Sequence, residues 1–129
     1  MATGGSHTMA GSEESQFQNR VEKILSDGGN VNELRGDLGR ALLHEAADHG
    51  YPKIVNNLLD RGADIHLKDR GGNTALHWAA RHNKLDVARL LIERGANIED
   101  RNEVLETPTH LAVWNHHTET LDVLLEKGN

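Results

Sequence analysis

Residues 74–80 read TALHWAA, and similar heptapeptides stand 33 positions before and after them, as ALLHEAA at 41–47 and TPTHLAV at 107–113. A second motif follows the first two heptapeptides at a fixed distance, as LLDRGADI at 58–65 and LIERGANI at 91–98. Self-similarity at one fixed period is the signature of a repeat architecture. The sequence therefore predicts consecutive structural units of 33 residues.

Each unit predicts two helices and a loop. Thr74 and Thr107 stand where a helix N-cap is needed, and Pro108 fits the first helical position because its missing N–H is harmless there. A polar turn separates this short helix from a second one with an apolar face. The glycines expected to end the second helices are Gly62, Gly95 and Gly128.

On these residues the chain resembles the ankyrin-repeat family, whose pattern is matched by Asp69, Gly72, residues 74–80 and residues 90–97. The resemblance implies an all-α solenoid of stacked helix-turn-helix units joined by β-hairpin-like finger loops. The implied fingers are 37–40, 69–73 and 102–106, and the implied organisation is a single domain over 13–129, with a partial repeat at 13–34 and repeats at 35–67, 68–100 and 101–129. In the partial repeat, the pattern predicts a helix over 17–27.

Residues 1–12 are rich in Gly, Ser and Thr and contain no Lys, Arg, Asp or Glu. They lack the basic start and the apolar stretch of a signal peptide. We predict that this segment is a disordered leader outside the fold.

Composition excludes several classes of protein. The net charge of −6 argues against a general attraction to nucleic acid or to anionic lipid, and no apolar run approaches the roughly 20 residues that span a bilayer. The chain has no cysteine, which excludes disulfide scaffolds and permits a reducing compartment. We therefore expect an intracellular protein, in the cytoplasm or the nucleus, with no cofactor.

Some positions depart from the repeat pattern. Ala41 replaces the capping Thr, Leu105 replaces a turn glycine and so predicts a strained positive φ, and Thr109 and Thr120 make the third full repeat more polar. Such polarity is expected of a capping repeat, but truncation explains the same ends. A capped domain predicts a monomer, whereas a truncated one predicts end-to-end self-association.

Residues three and four apart share a face of a helix, so each first helix has two stripes. The stripe expected to pack the stack is small and aliphatic: Leu43, Ala46, Ala47, Leu76, Ala79, Ala80, Thr109, Ala112 and Val113. The other stripe changes chemistry from repeat to repeat, and by resemblance it forms, with the fingers, a concave face that binds partners. The candidate partner-binding residues are Arg40, Glu45, Asp48, His49, Arg70, Asn73, Trp78, Arg81, His82, Glu106, Leu111, Trp114 and Asn115.

Both tryptophans of the chain lie on this second stripe. Tryptophan is enriched among residues that dominate binding energy, so each is a candidate anchor. The alternative is that Trp78 only covers the groove side of the stack. Trp114 is the better candidate because its equivalents, Arg81 and Asp48, are polar.

The repeat period places one histidine in each unit, at His44, His77 and His110. Histidines can bind metal ions, but the spacing of these three argues against a metal site. One histidine per repeat places neighbours about 10 Å apart, too far for one zinc ion. We expect each to bond backbone groups at a helix start and between repeats. The pair His116 and His117 lies in a predicted exposed turn, and nothing nearby completes a metal site.

No catalytic motif is present: the sequence has no cysteine nucleophile, no nucleophile elbow and no phosphate-binding loop. The resemblance implies a non-catalytic module that binds another protein or a peptide. Two alternatives stay open. The chain could be a fragment of a larger regulatory or enzymatic protein, in which the repeats recruit substrates or inhibit another domain. It could also be an engineered binder, although Asn57 and Leu105 are residues that an idealised design would avoid.

Overall fold

The computed structural model describes residues 9–128, with side chains for residues 13–126. Residues 1–8 of the predicted leader lie outside the described residues. The chain divides into two compact units at the junction between Asn30 and Val31, and each is described by itself below.

The first unit contains one helix, α1 (Met9–Ser26). It begins eight residues before the predicted start, so its first turn falls within the segment expected to be leader. It ends as expected for a second helix of a repeat: Gly28 has a φ of 85°, and the N–H of Gly29 donates to the carbonyl of Ile24 at 2.8 Å. The assignment of residues 13–34 to a partial repeat stays a prediction.

The second unit contains three pairs of helices. The pairs are α2 (Leu42–His49) with α3 (Pro52–Asp60), α4 (Ala75–Arg81) with α5 (Leu85–Glu93), and α6 (Pro108–Trp114) with α7 (Thr118–Gly128). The first helices α2, α4 and α6 pack side by side in one layer, and the second helices α3, α5 and α7 pack side by side in another. Among the described residues, none of the helices combines the length and the apolar character needed to cross a membrane.

The predicted helix starts are confirmed. The hydroxyls of Thr74 and Thr107 accept the N–H of the histidine three residues on, at 3.4 and 3.2 Å, and Pro108 is the first residue of α6. Ala41 has no hydroxyl to do this. Helix α2 still begins at Leu42, because the N–H of Ala41 donates to Nδ1 of His44 at 2.9 Å and so keeps half of the reciprocal cap.

The predicted helix ends are confirmed in two repeats. Gly62 and Gly95 have φ values of 99° and 102°, in the left-handed region that glycine adopts without strain. The prediction for Gly128 is wrong, because α7 includes this residue. In the other two repeats, the N–H of the residue after the glycine bonds back to the helix, as that of Ala63 does to the carbonyl of Leu58 at 2.9 Å.

The core consists of small and aliphatic side chains between the two layers and between neighbouring repeats. Ala46, Ala47, Ala79 and Ala80 are fully buried, as predicted. Val113 was predicted to pack the stack, and this is wrong, because 47% of its surface is exposed. Its equivalents Ala47 and Ala80 face a following repeat, whereas no described helix follows α6 and α7.

The fingers stack on one another through their backbones. The N–H of Arg70 donates to the carbonyl of Gly39 at 3.1 Å, and the N–H of Glu103 donates to the carbonyl of Gly71 at 3.0 Å. A Cβ added to Gly72 would lie 2.7 Å from the nitrogen of Glu103, so this position requires glycine. The stacked fingers therefore hold the first helices in register and flank one edge of them.

Candidate functional site

Five polar and aromatic side chains of the first and second full repeats meet in one cluster. This group, which we call the Trp78 cluster, consists of Arg40, Asp48, Trp78, Arg81 and His82. The carboxylate of Asp48 accepts from Nη1 of Arg40 at 2.8 Å and lies 3.1 Å from Nε2 of His82. The guanidinium of Arg40 stacks over the Trp78 ring, 4.8 Å from its centroid. The cluster therefore joins the finger of one repeat to the first helix of the next.

Trp78 is held firmly from several sides. Its Nε1–H donates to Oδ2 of Asp69 at 2.8 Å, and the ring of His82 stacks nearly parallel to it, with centroids 6.0 Å apart. The other oxygen of Asp69 accepts the N–H of Asn73 at 2.9 Å and so fixes the finger. Trp78 thus covers the groove side of the stack, while one part of its ring stays exposed.

Burial lowers the pKa of His82, although the Asp48 carboxylate beside it acts in the opposite direction. The Arg81 guanidinium lowers this pKa further. At neutral pH, His82 is therefore neutral and Asp48 is paired chiefly with Arg40.

Trp114 differs sharply from Trp78, because 59% of its surface is exposed. Its ring stacks on the ring of His110, with centroids 5.5 Å apart and planes 19° apart. Beside it, Asn115 is also exposed and donates from Nδ2 to the carbonyl of Leu111 at 2.8 Å. This arrangement holds a large apolar ring in water in a defined orientation.

We call the exposed and half-buried side chains on this side of α2, α4 and α6 the first-helix face. Its members are Glu45, Asp48, His49, Trp78, Arg81, His82, Trp114 and Asn115. All eight are predicted site residues. His49 stacks on Tyr51 at 5.3 Å, and Glu45 is half-buried with interactions inside the molecule.

The predicted finger residues mostly serve the stack. The side-chain oxygens of Asn73 and Glu106 both accept from Nδ2 of Asn102, at 2.9 and 2.8 Å. Arg70 is exposed and donates from Nη1 to the carbonyl of Asp37 at 3.1 Å. Of the three, Arg70 is the one best placed to contact a partner.

The prediction that Leu111 contacts a partner is wrong, because only 2% of its surface is exposed. Its equivalent in the second full repeat is Trp78, whose ring lies under the guanidinium of Arg40 from the first full repeat. This position therefore points toward the preceding repeat, and an aliphatic side chain without a polar group packs into that contact.

Sequence reasoning missed several polar contacts between repeats, among them those of Asn102 and His117. Asn102 is buried at the third finger, and its equivalence to Asp69 in the 33-residue period was the signal that could have revealed it. His117 was predicted to lie in an exposed turn, but it is half-buried, and its Nε2 bonds to the carbonyl of Arg81 at 2.8 Å. The latter contact has no signature in the repeat pattern.

The structural role of the repeated histidines is confirmed in full for His77, whereas for the exposed His110 only the bond from the N–H of Thr107, at 3.0 Å, is confirmed. Nδ1 of His77 accepts the N–H of Thr74 at 3.0 Å, and its Nε2–H donates to the carbonyl of Glu106 in the next repeat at 2.8 Å. His44 makes the same bond at its helix start, from the N–H of Ala41 at 2.9 Å, but its Nε2 lies 2.9 Å from the carbonyl of Leu67, the last residue of its own repeat. Among the described residues, no group of three or more His, Asp or Glu side chains is arranged to hold a metal ion.

Comparison with known families agrees with this architecture. A family model for ankyrin repeats (3 copies) matches residues 43–129, about two thirds of the chain. The chain belongs to the ankyrin-repeat family, and it forms an all-helical ankyrin solenoid. Ankyrin repeats are generally modules of protein–protein interaction and are typically non-catalytic. No curated protein matches the chain.

Proposed function

We propose that this protein is a non-catalytic binding module that recognises a partner protein or peptide through the first-helix face and the adjoining fingers. The exposed ring of Trp114 is the observation that carries the proposal most. A tryptophan left in water and held in one orientation is a suitable binding anchor, because little conformational entropy is lost when it is buried.

The surroundings of Trp114 support the same proposal. The Trp78 cluster lies on the neighbouring first helix and supplies charged groups around a partly exposed ring. Aromatic and Arg side chains are enriched at the centres of interfaces. A standard interface would cover about 800 Å² on this side of the complex.

The same face would serve a larger regulatory or enzymatic protein in which the repeats recruit substrates or inhibit another domain. For either role we expect a cytoplasmic or nuclear location, which the absence of cysteine permits.

The test is capture of a partner from native lysate by the intact chain and by the double variant Trp114→Ala with Arg81→Ala. We expect the double variant to bind the captured partner at least about tenfold more weakly, because two central side chains of the face are lost. Its helical circular dichroism and melting temperature should stay close to those of the intact chain, since Trp114 is exposed.

A matched control is Arg89→Ala with Glu93→Ala, which removes two exposed side chains from α5 in the layer of second helices. This variant should bind the partner as the intact chain does. Unaltered affinity of the Trp114 and Arg81 double variant would contradict the proposal.

A further inference from the structure

The carboxylates beside the first-helix face are already engaged inside the molecule. Asp48 bonds both Arg40 and His82, and Asp69 accepts from the indole of Trp78. Asp48 is thus paired with Arg40 and Asp69 is buried, so neither carboxylate is well placed to attract a basic partner.

Two guanidinium groups lack such compensation. Arg81 is half-buried, with its guanidinium carbon 5.9 Å from the centroid of the Trp78 ring, and Arg70 donates to a backbone carbonyl of the preceding finger. Among the described residues, no carboxylate lies within ion-pair distance of either group. Arg81 is thus a partly desolvated cation on the binding face with an open position for an anion.

An apolar surface lies one helix away from this cation. Trp114 stands 33 residues after Arg81, at the equivalent position of α6, which packs directly against α4. Packed helices are about 10 Å apart, so the backbone positions that carry Arg81 and Trp114 are separated by about that distance along the stack. An extended peptide advances about 3.3 Å per residue and spans this separation in three residues.

We infer that the partner presents an extended segment in which a carboxylate lies three residues from an aromatic or large aliphatic side chain. This inference rests on the proposed function and names the chemistry of its ligand. The carboxylate pairs with Arg81, whose planar guanidinium can donate two parallel hydrogen bonds, and the apolar side chain packs on Trp114. The net charge of −6 repels a long polyanion, so the match favours a single carboxylate placed next to an apolar residue.

The test uses fluorescein-labelled, otherwise neutral Gly/Ser peptides and measures anisotropy against the full chain at pH 7.5. One peptide carries Glu-x-x-Phe and a second carries Phe-x-x-Glu, because the segment can run in either direction across the face. Matched peptides replace Glu by Gln or Phe by Ala. We expect at least one of the two Glu peptides to bind about tenfold more tightly than its Gln and its Ala counterparts.

Variants of the protein assign each half of the ligand. Arg81→Gln should abolish the preference for Glu over Gln while keeping the preference for Phe over Ala, and Trp114→Ala should do the reverse. The control Arg89→Gln, on the exposed surface of α5, should keep both preferences.

Absence of binding by both Glu peptides would overturn the inference, and so would equal binding of Glu and Gln peptides or a full Glu preference in Arg81→Gln. If the captured partner still depends on Trp114 and Arg81 in any of these cases, the proposed function stands and only the ligand chemistry is wrong. If the captured partner is also indifferent to both residues, the proposed function fails as well.

Discussion

Leu105 is held at a φ of 67°, where its equivalents in the other fingers are Gly39 and Gly72. Those two glycines are needed because the next finger lies against them: an added Cβ would approach atoms of Arg70 or Glu103 to 2.7 Å. Leu105 has 65% of its surface exposed, and no described finger lies against it. Its cost is therefore backbone strain without a steric clash, as the period of the sequence predicted.

Replacing this leucine should stabilise the fold. A non-glycine residue in the left-handed region costs roughly 1–2 kcal/mol of stability, and a glycine there avoids this cost. Glycine itself lowers the stability by about 0.5–1 kcal/mol, because it loses more conformational entropy on folding than other residues do. We therefore expect Leu105→Gly to raise the free energy of unfolding by about 0.5–1 kcal/mol, measured by urea denaturation at pH 7.5.

The matched control is Leu38→Gly, which removes another exposed finger leucine whose φ is not positive. This variant should be slightly less stable than the intact chain. A Leu105→Gly variant no more stable than the intact chain would show that the finger carries no strain.

At the scale of elements, two buried histidines join a first helix to a later segment of the chain, His77 to the third finger and His44 to Leu67 just before the second finger. In His44 and His77, Nδ1 accepts a backbone N–H and Nε2–H donates to a carbonyl of the next segment, which requires the neutral ring. Burial is the main cause that lowers the pKa of both rings below the ordinary value of 6.5, and the carbonyl bonds oppose it without cancelling it.

These two histidines predict a loss of stability in mild acid. The unfolded chain binds protons near pH 6.5, while the folded chain resists them to lower pH, so the stabilisation is present above pH 6.5 and is lost as the pH falls below that value. We expect the urea concentration at the midpoint of unfolding to decrease as the pH is lowered from 7 to 5. In NMR spectra, the ring signals of His44 and His77 should titrate with midpoints below pH 6.5, and titration of both at or above pH 6.5 would contradict the assignment.

The helices could be predicted from the sequence because their signals are local. Thr74, Thr107 and Pro108 start helices through contacts within one turn, and Gly62 and Gly95 end them in the same way. The exposure of Val113 and the burial of Leu111 could not be predicted from local signals. Each depends on whether another repeat covers the side of the helix on which the residue lies. The bonds of Trp78 and Arg40 also required the structure, since two repeats or two segments must meet to form them.

At the scale of the whole molecule, the second unit is a stack in which polar contacts repeat with the sequence period while the exposed face does not. Backbone bonds join the fingers, and the Nε2–H of His77 joins α4 to the third finger. The variable side chains gather on the first-helix face, where the indole of Trp78 donates to Asp69 and the ring of Trp114 is exposed. The repeated contacts thus form a regular scaffold, and the side chains of the first-helix face on this scaffold differ from repeat to repeat.

The central claim is that the first-helix face is the surface that meets a partner. A photoreactive residue such as p-benzoylphenylalanine, placed at position 115 or at position 93, measures this directly in native lysate while Trp114 is kept, because each position cross-links only what touches it. The account predicts a discrete cross-linked product from position 115, on the first-helix face, and none from position 93 on the exposed surface of α5. The same partner cross-linked from position 93, with no product from position 115, would contradict it.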